Sequence, residues 1–236
     1  GGMNMVINQM ILVTDGESNT GISPVEAAKI SCEKGIKVST IGIVDNMRKE
    51  KSLVELEMTA QAGGGIGEIT DIESLYQTLS KVTVNSVYKT IEEAVNKELK
   101  NIINKDMTEI QPKERKRIVQ LIDKLEEEAS LKCMILLDTS GSMNNKIEIA
   151  KKSILELLNF LNERKGETYI GVCAFSKRGE SFFQVLCDFT HDIDILEGSL
   201  KQIKTGGTTP TGPAIIEGIN FFHKEKDEDV LTEYTV

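Results

Sequence analysis

CMILLDTSGSM, residues 133–143, decides the fold. A continuous apolar run ends in an aspartate and a turn of small, hydroxyl-bearing residues. Such a run reads as a strand buried on both faces, because a half-exposed strand would alternate polar and apolar residues. The following NKIEIAKKSILELLNFLNE carries apolar residues at helical spacing, so the unit is strand, turn, helix. ILVTDGESNT, residues 11–20, repeats the arrangement near the other end of the chain. There an apolar strand delivers Asp15 to an acidic turn. SPVEAAKISCEKG then forms a helix, with Ser23 suited to cap it, Pro24 to its first turn and Gly35 to its stop.

Further units alternate between these two. IKVSTIGIV (36–44) is a second buried strand, LVELEMTAQAGG a helix ended by glycines, GEIT a short strand segment and DIESLYQTLSKV a helix. TYIGVCAFS and FFQVLCDFT are strands separated by KRGES, the spacing of an antiparallel hairpin. IDILEGSLKQI and PAIIEGINFFHKE are helices on either side of the loop TGGTTPTG. Buried strands alternating with helices imply an α/β domain with a mostly parallel sheet covered on both faces. From Val84 the pattern becomes long amphipathic helix, and after NKDMTE a second helix opens at Pro112. Residues 84–131 therefore read as a helical hairpin between two α/β segments, 3–83 and 132–226, with a polar tail at 227–236. The basic run KERKR (113–117) reads as a solvated helix face, offset by Glu114 and the acidic 126–128.

With 236 residues and 39% hydrophobic content the chain can build a full core. A net charge of −9 disfavours nucleic acid and anionic membranes and suits a cation. Cys32, Cys133, Cys173 and Cys187 form no CxxC pair, so neither a zinc ribbon nor a disulfide framework is indicated. Buried free thiols, no leader and no spanning helix point to a cytoplasmic protein. Gly1 and Gly2 read as a cloning remnant ahead of a native start at Met3. The glycine run GGGIGE (63–68) lacks the strand-to-helix context of a dinucleotide site and reads as a helix stop and turn.

Asp138, Ser140 and Ser142 alternate after an apolar strand, which lets a turn aim three oxygens one way. Oxygen ligands of this kind suit a hard cation, Mg²⁺ or Mn²⁺, rather than zinc. Thr208 in GGTTPTG and Asp15 in TDGE are further oxygen donors. Together these strings resemble the von Willebrand factor A domain and its metal-ion-dependent adhesion site. In that family D-x-S-x-S follows the first strand, a G-G-T-like loop supplies a threonine and a T-D-G turn supplies an aspartate. The resemblance implies a doubly wound, mostly parallel six-stranded Rossmann-like sheet, with Asp138, Ser140, Ser142, Thr208 and Asp15 around one metal. Serine and threonine would contact the ion and the acids would act often through water.

The order departs from the family's. The T-D-G strand opens this chain instead of following the G-G-T loop, so the pieces read as a circular permutation with the helical hairpin joining the old ends. A similar arrangement occurs in von Willebrand factor A-like proteins of endospore-forming bacteria. The implied function is a divalent-cation-dependent interaction module that binds an Asp or Glu of a protein partner, without catalysis. Two other readings are a metal-dependent hydrolase, for which Glu17 is the best base, and a scaffold with an unused site. His191 and His223 read as surface or packing residues. The long hairpin favours a monomer over a dimer with exchanged halves.

Overall fold

The computed structural model of the chain describes residues 5–18, 20–45 and 50–233. The elements run β1 (Val6–Thr14), α1 (Pro24–Glu33), β2 (Ile36–Ile43), α2 (Glu50–Ala62), β3 (Gly64–Thr70) and α3 (Leu75–Ile103). They continue with α4 (Pro112–Glu128), β4 (Ser130–Asp138), α5 (Ile147–Leu161), β5 (Thr168–Arg178), β6 (Ser181–Thr190), α6 (Ile193–Leu200) and α7 (Thr211–Glu233). The strands form one sheet in the order β3-β2-β1-β4-β5-β6. All neighbours are parallel except the hairpin β5–β6. The α/β class, the six strands and the hairpin are those expected from the sequence.

Side chains alternate across a strand, so the apolar runs of β1 and β4 feed two core layers at once. Ile7, Ile11 and Val13, with Leu131, Cys133, Ile135 and Leu137, pack under α3, α4, α5 and α6. Met10, Leu12, Met134 and Leu136 pack under α1, α2 and α7. Burial drives the Cys133 thiol up to about 12 and raises that of Cys173, so both behave as inert packing groups. No described helix is long and apolar enough to cross a membrane.

Three expectations change in the structure. The helices read separately on either side of Val84 are one helix, α3, because no glycine or proline interrupts residues 75–103. A boundary at 83 therefore falls inside a continuous element. Leu75, Leu79, Val82, Val87 and Ile91 are buried against the sheet, whereas Ile102 and Ile103 are exposed. Second, the glycine run is mostly strand β3. A methyl group on Gly65 would sit 2.2 Å from the carbonyl oxygen of Val38, so glycine there permits the close approach of β3 to β2. Third, the polar tail continues α7 as far as Glu233, and residues 234–236 lie outside the described residues, as do Gly1, Gly2 and Met3.

Helix α4 is tied down at both ends by arginines. Arg115, from the run expected to be solvated, donates to the carbonyls of Met107 at 2.9 Å and Ile110 at 3.1 Å, closing the turn between α3 and α4. Arg164 donates to the carbonyls of Glu126 at 2.6 Å and Ala129 at 2.8 Å, fixing the end of α4. Between these clamps Ile122 is the buried residue of α4. Ile122→Ala is expected to cost about 2–4 kcal/mol in urea unfolding, and the exposed neighbour Leu121→Ala no more than about 0.5 kcal/mol. Equal losses would contradict this account of how α4 is anchored.

Candidate metal centre

β1 and β4 pair in parallel with Val13 opposite Leu137. The turns that follow them therefore leave the same edge of the sheet side by side. On one side of β1 the chain goes on to β2 and β3, on the other to β4, β5 and β6. This is the reversal point at which doubly wound sheets place ligands.

Asp138, the last residue of β4, is fully buried. Its Oδ2 accepts from the Thr14 hydroxyl at 2.7 Å and its Oδ1 from the Ser140 N–H at 2.8 Å. The hydroxyls of Ser140 and Ser142 lie 3.2 Å apart. Ser142 donates onward to Asp15 Oδ1 at 2.8 Å across a sequence separation of 127 residues. Four of the five expected ligands are thus linked by hydrogen bonds.

The fifth is placed differently. Thr208 is exposed, and its backbone bridges Lys177 in antiparallel fashion. Thr209 is buried instead. Its Oγ1 would lie 3.6 Å from a methyl group built on Gly16, next to Asp15. Thr211 is also buried, and its hydroxyl has no hydrogen-bond partner among the described residues. The GGTTPTG loop is held over the site by two backbone bonds. Gly206 N–H donates to Thr139 O at 2.9 Å and Gly141 N–H to Gly207 O at 3.2 Å.

Lys146, not singled out in the sequence, completes the cluster. Its ammonium lies 3.0 Å from Asp15 Oδ2 and 3.4 Å from Asp45 Oδ2, and donates to the Ser142 carbonyl at 3.2 Å. Side-chain exposure of Lys146 is 9% and of Asp15 4%, so this pair is shielded from solvent. Burial opposes the lysine's charge, but the hydrogen bond and charge of Asp15, then Asp45, outweigh it and raise its pKa. The only cue was spacing: four residues after Ser142, a lysine can fold back one helical turn.

Burial pushes the Asp138 carboxyl up to about 6, against the lowering effect of bonds from Ser140 and Thr14 and helped by the charge of Asp15. A raised carboxyl favours the folded state when protonated. That contribution is present below the unfolded carboxylate range and is lost as pH rises through about 6. At neutral pH the ionised group carries an unmet electrostatic cost, which a nearby cation would relieve. Among the described residues no three His, Cys, Asp or Glu side chains cluster as a metal site. The donors here are hydroxyls and two carboxylates, a hard-oxygen set that fits Mg²⁺ or Mn²⁺.

His191 packs edge-on against Tyr169 with ring centroids 5.7 Å apart. It follows the end of β6, and Thr190 there pairs with Ile170 near the start of β5, so it lies at the opposite end of the sheet from Asp138. His223 lies within α7.

A doubly wound sheet with a hydroxyl and carboxylate cluster at its reversal point is the architecture of the von Willebrand factor type A domain, whose family model matches residues 133–231. A Bacillus subtilis (strain 168) protein, YabS, named as uncharacterized, is 36% identical over 221 residues, covering 92% of this chain and 90% of that one. A crystal structure of an uncharacterized protein from Alicyclobacillus acidocaldarius superposes with a TM-score of 0.86 at 32% identity, covering 96% of this chain and 99% of the other. Residues 133–231 are thus matched as a von Willebrand factor type A domain, and the chain as a whole belongs to one family with these two proteins.

Asp138→Asn keeps the shape and the acceptor for Ser140 N–H while removing the charge. In chelator at pH 7.5 it is expected to be as stable as the parent or more so, by up to roughly 3 kcal/mol. Thermal unfolding checks this, and a loss of several kcal/mol would show that the ionised carboxylate is needed even without a cation.

Proposed function

We propose that this protein is a divalent-cation-dependent interaction module that binds an aspartate or glutamate of a protein partner, and that it performs no catalysis. The observation that carries the reading is the Ser142–Asp15 bond, which joins turns from two distant parts of the chain beside the buried Asp138 carboxylate. Asp138, Ser140 and Ser142 would hold Mg²⁺ or Mn²⁺, with Asp15 completing the site. The ion would supply an open Lewis-acid position for an external carboxylate. Family membership supports a protein-binding role.

Asp15 is already engaged by Lys146, which it shares with the more exposed Asp45. Asp138, held by Thr14 and Ser140, is the buried carboxylate left for the ion. Of the threonines, Thr209 is the better ligand candidate than Thr208, since it is the buried one beside the Asp15 turn.

The reading includes a circular permutation. β1 through β3 form one half of the sheet and β4 through β6 the other, with α3 and α4 crossing between them. Near full-length likeness to proteins of Bacillus subtilis and Alicyclobacillus acidocaldarius supports placing it with the permuted group of endospore-forming bacteria. A cytoplasmic monomer is the matching cellular form.

Thermal unfolding in Mg²⁺ against chelator tests the site. A cation at a hundred times its dissociation constant adds about 2.7 kcal/mol. The gain is expected in the parent and in Thr208→Ala, but reduced in Thr209→Ala and lost in Asp138→Asn. No gain in the parent sinks the metal reading, and a selective loss in Thr208→Ala reverses the choice of threonine.

A further inference from the structure

We infer that a groove beside the metal centre receives the residues flanking the partner's metal-bound acid, and that the partner segment is a peptide with an apolar side chain and a second acidic residue near that acid. The inference rests on the metal-centre reading and specifies its partner. The groove has a volume of about 520 Å³, within the range that holds a small ligand or a few side chains.

Groove and metal centre share their walls. Thr139, between Asp138 and Ser140, lines the groove, and its hydroxyl is 3.1 Å from that of Ser176, another lining residue. The loop carrying Ile203 and Lys204 forms the opposite wall. The same loop bonds to the site through Gly206 and Gly207 and ends in Thr209. A chain whose carboxylate sits at the ion would therefore pass its neighbouring residues over the groove.

The lining sets the chemistry. Ala174 and Leu186 are buried apolar groups, and Ile203 and Phe182 are half-buried beside them. The charged side chains that line the groove, Arg178 and Lys204, are both positive. Arg178 is spent on the rim itself, donating to the carbonyls of Gly206 at 3.4 Å and Lys204. The Lys204 side chain is exposed and makes no ion pair with a described residue. On a chain of net charge −9, this positive lining is a local surface complementary to acid.

The experiment pans a displayed library of random peptides on the full chain in Mg²⁺ and elutes with chelator. Selected peptides are then synthesised and measured by fluorescence anisotropy. The expected peptides carry an acid, an apolar residue and a second acid within a few positions. Lys204→Glu is expected to bind them roughly three- to tenfold more weakly, while its thermal stabilisation by Mg²⁺ stays as in the parent. Replacing the peptide's second acid by lysine should restore binding to that variant. Selected peptides that bind the parent and Lys204→Glu equally would overturn the groove while leaving the metal centre standing. An absence of Mg²⁺-dependent peptides would overturn the peptide partner. Loss of Mg²⁺ stabilisation in the parent would remove the metal reading and this inference with it.

Discussion

The parallel pairing of β1 with β4 is the constraint on which the rest depends. It places Val13 opposite Leu137, so the next residues of each strand, Thr14 and Asp138, meet through a 2.7 Å hydrogen bond. One position later, Asp15 meets Ser142. The register is fixed from both faces, because a slip of one residue would turn Ile11, Met10, Ile135 and Met134 to the wrong core layers. Hydrophobic patterning thereby sets the position of polar atoms at the end of the sheet.

Charge within the cluster follows from burial. Asp138 accepts hydrogen bonds from the neutral donors Thr14 and Ser140, and burial raises its carboxyl. The Asp15 side chain is nearly as hidden, yet Lys146 lies 3.0 Å away. The two aspartates thus differ in kind. One is neutralised from within the chain, while the other is held in a form that an added cation would stabilise. A polar scaffold maintained only for helix capping has no use for a fully buried ionisable side chain at its mouth.

Much of this was legible in the sequence, for physical reasons that also mark where legibility ends. Long apolar runs bounded by small polar residues have few structural meanings, so β1, β2, β4, β5 and β6 were identifiable. DTSGS and TDG stood at strand ends, where side-chain direction is constrained. Adjacent threonines in GGTTPTG are chemically equivalent, and only the bridge of Thr208 to Lys177 turns one outward while the other is buried. Lys146 resembles any solvated lysine before an amphipathic helix until Asp15 arrives from more than a hundred residues away. The glycine run looked like a breaker because glycine's entropic cost is local, whereas its benefit, contact with Val38, is tertiary.

The most direct measurement is anomalous diffraction from a crystal soaked in Mn²⁺. The account requires one peak within bonding distance of Ser140 and Ser142 hydroxyl oxygens, at the mouth of the Asp138 pocket, with Asp15 still paired to Lys146. A peak elsewhere, or no peak at the junction of β1 and β4, would contradict the claim that the two turns share one ion.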